Sequence, residues 1–334
     1  MNGSEQRILL LDDATVREVF DWGAAIAALR AAYAACADEA MFPPRTMARG
    51  DGLWLRTLSG IMPDSRYLGA KLIVASPRAR AASYLIPLFD QETTALRALL
   101  DGNAITGFRT AATSALAADL LTVRGPRTIA VIGSGFEAKT HLRAVASLGG
   151  VGAVRVFSPR AESRAAFIAD FAGAPFTVDE AETAAAAVAG ANLAICAARS
   201  RDETPTFLGE WMRPGMTVIS IGSTLPEQRE IDAEAIRRAD LIVADMAEEV
   251  AHDTGDMLAA LRAGVVFADK LIPLSALVAG KHPGRTSPDR VVLYKSVGAA
   301  IQDLAVAGMC VDRAAALKRG TAIPRFTGPV SKGK

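Results

Sequence analysis

The sequence predicts an α/β protein in which a Rossmann-type, doubly wound parallel sheet is joined to a discontinuous α+β domain. Three observations predict it. The stretch Arg127-Thr128-Ile129-Ala130-Val131-Ile132-Gly133-Ser134-Gly135-Phe136-Glu137-Ala138 runs a β-branched segment into G-x-G-x-x-A and then into a helical pattern. From about residue 127 onward, strand-like and helix-like segments alternate, which is the signature of a parallel sheet. The chain has 334 residues, 51% of them hydrophobic, enough apolar side chains for two cores and too many residues for one.

In chain order, residues 22–38 read as a helix, residues 53–58, 68–75 and 84–90 as strands, and residues 107–120 as a second helix. The alternating region follows. Its strands are expected at 129–132, 154–157, 193–197, 217–221 and 241–244, with a helix over 137–148 directly after the glycine turn. The Ala-rich tract around 184–187 reads as a helix rather than a linker. An amphipathic helix over 297–317 closes the chain and is expected to pack back on the first domain. The domains are therefore placed at 1–120 with 297–334, and at 121–296. In open α/β sheets ligands sit at the carboxyl ends of the strands, so substrate is expected between the two domains.

The glycine turn carries the first functional reading. Backbone N–H groups at a helix start attract a pyrophosphate. Gly133 permits the turn, Gly135 lets phosphates approach the backbone, and Ala138 allows close helix–strand packing. Ser134, Phe136 and Glu137 complete the cradle. NAD sites place an acidic residue at the end of the second strand; here that end reads Phe157-Ser158-Pro159-Arg160, with Arg164 one turn further on. Ser158 and Arg160 suit a 2′-phosphate, since guanidinium binds phosphate bidentately. NADP(H) is the expected cofactor, with NAD also accepted.

Composition excludes several classes. Lys and Arg number 37 against 36 Asp and Glu, mixed along the chain, so no basic stripe points to nucleic acid. No apolar stretch reaches the length of a membrane span, and no signal peptide opens the chain, so a cytoplasmic location is expected. Cys36, Cys196 and Cys310 are widely spaced and read as buried thiols in a reducing compartment. His141, His252 and His282 lack metal-ligand spacing, so no metal is expected.

Three cations are candidates for holding a substrate carboxylate: Arg45 after Pro43-Pro44, Lys71 inside an apolar strand, and Arg109 near the start of a helix. A buried ammonium at 71 is costly without a partner. Converging on one α-carboxylate, the three would orient Cα for reaction. The alternatives are a surface charge for Arg45, an ion pair to Asp101 or Glu92 for Arg109, and a solvent-facing position for Lys71. Between guanidinium groups and out of water, Lys71 should have a lowered pKa and be able to exchange a proton with an amine or imine.

Gly69-Ala70-Lys71-Leu72, Gly107-Phe108-Arg109-Thr110-Ala111-Ala112-Thr113-Ser114-Ala115, the glycine turn and Lys295-Ser296-Val297-Gly298 stand in the order found in the ornithine cyclodeaminase/μ-crystallin family, and the chain resembles that family over nearly its whole length. The Gly255-Asp256 pair is similar too. The resemblance implies a homodimer joined through the sheets of its N-terminal domains. It also implies an Arg, a Lys and an Arg at positions 45, 71 and 109 on the substrate carboxylate. The family includes cyclodeaminases, alanine dehydrogenases, ketimine and imine reductases and a hormone-binding crystallin, so the resemblance fixes fold and cofactor better than substrate.

Three departures from the family pattern bear on activity. Cyclodeaminases carry an Asp in G-x-D-x-P-G-K-x-E; here Gly222-Ser223-Thr224-Leu225-Pro226-Glu227-Gln228-Arg229-Glu230 puts Thr224 in its place. A hydroxyl cannot act as a carboxylate base, and cyclodeamination needs repeated proton shuttling. Ala81-Ala82-Ser83-Tyr84 replaces a Thr-His-x-Gly run. Trp54-Leu55-Arg56-Thr57 replaces a strand ending in Met-Pro, and Arg56, on the side of Trp54 and Leu58, either faces solvent or accommodates a second anionic group. Thr224 either bonds the substrate nitrogen or the carboxamide of the cofactor, or caps its turn. Gly222 and Ser223 are assigned to the cofactor, as are Lys295 and Ser296, with Ser296 also a candidate helix cap. Asp256 either bonds substrate or ribose or belongs to an ordinary turn, and His141 is structural or at the surface. The expected function is NADP(H)-dependent reduction of an amino-acid imine, such as a cyclic imino acid, or an amino-acid dehydrogenase reaction, with Lys71 and Thr224 at the chemistry. The rivals are an ornithine cyclodeaminase with displaced acid/base and a crystallin-like NADPH- and ligand-binding protein.

Overall fold

The computed structural model describes residues 7–35, 39–63 and 65–330. In chain order its elements begin β1 (Ile8–Leu11), α1 (Asp13–Val19), α2 (Trp22–Ala35), β2 (Thr46–Gly50), β3 (Leu53–Ile61), β4 (Tyr67–Ser76), β5 (Ala81–Asp90), β6 (Leu96–Asp101) and α3 (Asn103–Leu121). There follow β7 (Arg127–Ile132), α4 (Phe136–Ala146), β8 (Val151–Phe157), α5 (Ala161–Ala169), β9 (Thr177–Glu180), α6 (Ala184–Val188), β10 (Leu193–Cys196) and β11 (Thr217–Ser220). The chain closes with α7 (Ala233–Arg238), β12 (Leu241–Ala244), α8 (Ala247–Asp253), α9 (Gly255–Arg262), β13 (Leu271–Pro273), α10 (Leu274–Val278), β14 (Val292–Lys295), α11 (Ala300–Leu317) and β15 (Thr321–Ile323). Two compact units result, one formed by the chain up to Arg109 with the segment from Ala299 onward, the other by Thr110–Gly298.

The first unit is built on a seven-stranded mixed sheet in the order β15-β1-β6-β5-β4-β3-β2. The meander β2 to β6 is antiparallel, and β1 joins it in parallel with β6. Alternation sorts the side chains. Leu58 stands opposite Lys71, and Arg56 opposite Ile73, so these four share one face. That face is covered by α11, which packs on β3, β4 and β5 and against α2. The other face leaves Leu53, Leu55, Val74 and Leu85 more than 40% exposed.

The strands expected at 53–58, 68–75 and 84–90 are present and longer, whereas β1, β2, β6 and β15 are additional. Ile8-Leu9-Leu10-Leu11 is a short continuous apolar run whose period says nothing about strand or helix. The edge strand β2 is almost wholly exposed and shows no buried alternation. The second helix starts at Asn103 rather than 107, because Asp101 accepts the Asn103 N–H at 2.8 Å and Asp13 accepts the Ala104 N–H at 3.1 Å. Both satisfy orphan donors of the first turn. Arg109 therefore lies almost two turns into α3.

The second unit holds an eight-stranded sheet, β13-β12-β14-β11-β10-β7-β8-β9, parallel throughout. This is the doubly wound, Rossmann-type sheet that the glycine turn and the alternation predict. β10, β11, β12 and β14 are buried at every position, as strands covered on both faces must be. β9, β13 and β14 add to the five expected strands. β14 ends on Lys295, so Lys295 lies on a strand and not before a helix. The closing helix begins at Ala300, and its N-cap, Ala299, makes no side-chain bond; Ser296 is too far upstream to cap it.

Cys196 and Cys310 are free and buried, and burial raises the Cys196 thiol well above its ordinary value. Cys36 lies outside the described residues. Among the described residues no helix is long and apolar enough to cross a membrane.

Candidate active site

In the first unit, two of the three candidate cations meet on one carboxylate. Lys71 Nζ lies 2.7 Å from Asp303 Oδ1, and Arg109 Nε lies 2.9 Å from the same oxygen. Lys71 is 1% and Asp303 0% exposed. The partner of Arg109 is thus Asp303 on α11, not Asp101, which is spent on the start of α3. Gln302 extends the cluster: its Oε1 accepts from Arg109 at 2.6 Å and its Nε2 donates to the Tyr33 hydroxyl at 2.9 Å. Burial, and then the Arg109 charge, bring the Lys71 ammonium down to about 8, against the pull of Asp303. The solvent-facing alternative for Lys71 is therefore excluded.

Arg56 lies on the same sheet face. Its guanidinium carbon stands 5.3 Å from the centre of the Trp54 ring, a cation–π distance, and its charge helps lower Lys71. Arg45 is half-buried and directly precedes β2. Alternation back from Met47, which pairs with Arg56, puts it on the Arg56 side.

In the second unit, the glycine turn sits where β7 hands over to β10, the point at which the strand order reverses. Gly133 has φ +115°, and a Cβ there would stand 2.6 Å from the Ala197 carbonyl oxygen. Only glycine fits. Gly135 is the N-cap of α4, which has no side-chain cap, and a Cβ on it would meet nothing within 4 Å. That open space over a helix start fits a pyrophosphate. Ala138 is fully buried, as close packing of α4 requires. Behind the turn, His141 is fully buried, its ring nitrogens 2.7 Å from the Glu137 carbonyl oxygen and 3.1 Å from Ser114 Oγ, which makes it structural.

At the end of β8, Ser158 is buried and Arg160 exposed. Arg164 is held elsewhere: its Nε donates to Glu180 at 2.9 Å and its Nη1 to the Ser158 carbonyl at 2.8 Å. Arg160 is left as the exposed guanidinium at this strand end, at the N-cap of α5.

The carboxyl ends of β10, β11 and β14 enclose a second charged cluster. Glu230, 0% exposed, accepts from Ser220 Oγ and from the N–H groups of Ile221, Gly222 and Ala198. Burial pushes its carboxyl up to about 7, against the pull of Lys295. Lys295 Nζ lies 3.0 Å from Asp256 Oδ2 and donates to Ser220 Oγ at 2.9 Å. Asp256 Oδ1 accepts the N–H groups of Glu230 and Ile231. Asp256 is 0% exposed, and these backbone bonds let it pin the segment 222–231 rather than stand in an ordinary turn. Gly255 belongs to the same packing, since a Cβ there would stand 2.1 Å from the Gln228 carbonyl oxygen.

These bonds account for the Lys295-Ser296-Val297-Gly298 block. Ser296 Oγ and the Gly298 N–H bond Asp245 Oδ2, and the Val297 N–H bonds Asp245 Oδ1. The loop wraps a buried carboxylate, with Gly298 at φ +85°. The Ser223 hydroxyl donates to the Gln228 carbonyl at 2.6 Å. The side chains of Ser223, Lys295 and Ser296 are thus committed within the fold. Thr224 is half-buried; its N–H and hydroxyl both reach Gln228 Oε1, at 2.9 and 3.1 Å.

Asp303, Gln302 and Glu230 were not legible as site residues. Asp303 lies in an Ala-rich amphipathic helix, where an acid reads as a solvated position. Its signal is adjacency to Gln302 among apolar neighbours, two polar residues on the side expected to be buried.

The family model for the ornithine cyclodeaminase/mu-crystallin family matches residues 16–318. The mouse protein named ketimine reductase mu-crystallin is 31% identical over 225 residues, 67% of each chain. The iminosuccinate reductase of Paracoccus denitrificans is 29% identical over 68% of this chain and 69% of its own. Among solved structures, Thermococcus litoralis Δ1-pyrroline-2-carboxylate reductase, in complex with NADH and L-proline, superposes with a TM-score of 0.87 at 25% identity, covering 95% of this chain and 100% of that one. The chain belongs to the ornithine cyclodeaminase/mu-crystallin family.

Proposed function

We propose that this protein reduces the C=N bond of an amino-acid imine with a nicotinamide nucleotide, NADP(H) by preference, and that a cyclic imino acid such as Δ1-pyrroline-2-carboxylate is its substrate. The observation that carries this is the pair Lys71 and Arg109 on one buried carboxylate. Lys71 gives Asp303 one of its three N–H donors, and the donors that remain suit an α-carboxylate. Gly133 to Ala138 would hold the pyrophosphate, and Ser158 with Arg160 the 2′-phosphate. The nicotinamide, when bound, supplies the hydride. Lys71 orients the carboxylate and, if the imine arrives unprotonated, gives the nitrogen its proton. An imine that arrives as the iminium needs no strong acid, which suits a site with Thr224 where cyclodeaminases carry Asp. The threonine hydroxyl, which donates to Gln228, cannot serve as a carboxylate base.

Named relatives support the reading: a ketimine reductase, an iminosuccinate reductase and a pyrroline-2-carboxylate reductase solved with NADH and L-proline. The exposed apolar face of the first sheet (Leu53, Leu55, Val74 and Leu85) supports a homodimer, and light scattering should return the mass of two chains rather than one. The test of function is nucleotide oxidation with a panel of imines, and ornithine as control. Oxidation of NADPH by Δ1-pyrroline-2-carboxylate, without ammonia from ornithine, is the expected result; ammonia release without imine reduction would make the protein a cyclodeaminase.

A second substrate is favoured by Arg56, an imino dicarboxylate, because its guanidinium shares the Lys71 face. Arg56→Met should then lower kcat/KM for iminosuccinate at least about tenfold while changing that for pyrroline-2-carboxylate less than about threefold, since a charged hydrogen bond contributes on the order of 1.5–3 kcal/mol. Equal losses on both substrates would remove Arg56 from substrate selection.

A further inference from the structure

We infer that Asp303 is the positioning residue of the cation grip: one buried oxygen holds Lys71 and Arg109 together and fixes where the remaining donors of Lys71 point. The inference rests on the reading of Lys71 as substrate ligand and deepens it. Three elements converge here, β4 with Lys71, α3 with Arg109 and the first turn of α11 with Asp303. Both cations reach Oδ1, at 2.7 and 2.9 Å. Oδ2, fully enclosed, takes no hydrogen bond among the described residues. A carboxylate serving only the stability of the fold gains most by satisfying both oxygens. This one concentrates its bonds on a single atom and so sets the two cations side by side. Gln302, next to Asp303 on α11 and itself held by Tyr33 on α2, braces Arg109. A buried ion pair is weak evidence for stability, because apolar side chains of similar volume often do as well. The cluster earns its desolvation cost through alignment.

Asp303 also governs the charge of Lys71. Arg109 from α3 and Arg56 from β3 oppose the ammonium, as does burial, and Asp303 supports it. Tyr84 on β5 shares the Lys71 face through its pairing with Ile73, and Tyr33 faces the cluster from α2. Removing the Asp303 charge leaves burial and two guanidinium groups, all of which favour the neutral amine.

Two readouts test this. The first is direct titration of Lys71 by NMR of protein labelled with 13C at lysine Cε, the resonance assigned by its absence in Lys71→Arg. The midpoint should lie near 8 in the wild type and about one pH unit or more lower in Asp303→Asn. Equal midpoints would overturn the inference, whatever the protein's substrate. The second is the pH profile of pyrroline-2-carboxylate reduction. In Asp303→Asn its alkaline limit should move down by a similar amount. Asp303→Glu, which keeps the charge and displaces it by one methylene, should keep the wild-type limit while kcat/KM falls about tenfold or more. If Asp303→Asn does not fold, Asp303→Glu decides: wild-type efficiency in that variant would show that alignment by Asp303 does not matter. A wild-type protein that reduces no imine sinks the functional reading alone, and the NMR midpoints still judge Asp303.

Discussion

Replacing Lys71 by Met should lower kcat/KM for imine reduction about a thousandfold, within the range that a positioned proton donor and ligand contributes. The variant should still fold. Arg109 keeps its 2.9 Å bond to Asp303, so no buried carboxylate is left unpaired, and Met fills the volume of the lysine stem. Steady-state kinetics separates the two roles. A rise in KM with kcat unchanged means that Lys71 only binds the carboxylate, whereas a fall in kcat means that it also moves a proton. The pH dependence follows from the position near 8 to which burial and Arg109 bring the ammonium. Lys71 is a cation below that pH and neutral above it. Both carboxylate binding and proton donation need the cation, so activity should hold below about 8 and fall above it. Lys71→Arg, always charged, should abolish that alkaline limb while retaining part of the binding.

The second large effect is expected at the glycine turn. Gly133→Val demands φ +115° of a β-branched residue and drives its Cβ against the Ala197 carbonyl. Strain of this kind costs roughly 1–3 kcal/mol before the clash is counted, and β7 and β10 must separate to relieve it. Nucleotide affinity should fall more than about a hundredfold and the melting temperature several degrees. Gly135→Ala separates binding from stability. Its Cβ meets no protein atom, so the melting temperature should stay within about 2 °C, while the methyl occupies the space assigned to the phosphates. NADPH affinity, read by fluorescence titration, should fall about tenfold or more. Unchanged affinity in Gly135→Ala would place the nucleotide elsewhere.

The parts of this fold that were legible in the sequence are those with a local physical cause. The glycine turn declares itself because a positive φ, a close approach and an open helix start are needed within three residues. The strands of the second sheet are continuous apolar runs, and Lys71 stands out as one charge among Leu68 to Ala75. Long-range partners were not legible. Asp303 meets Lys71 across 232 residues of chain, and nothing in the sequence around either one names the other. Lys295 and Asp256 mark the same gap: both lie in motifs, and the motifs suggest ligand contact, yet the two side chains pair with each other beneath the loop they support. The start of α3 is not legible in the sequence because Asp13, 91 residues away, helps to cap it. β2 is not legible either, since an exposed edge strand carries no pattern of burial.

The most direct measurement of the central claim follows the hydrogen itself. Wild-type protein would be incubated with Δ1-pyrroline-2-carboxylate and NADPH deuterated at the transferable position of the nicotinamide ring, and the product analysed by mass spectrometry and NMR. Proline carrying a single deuterium at Cα is the predicted result. Bound nucleotide with no deuterium in any product, across the panel of imino acids and imino dicarboxylates, would contradict it.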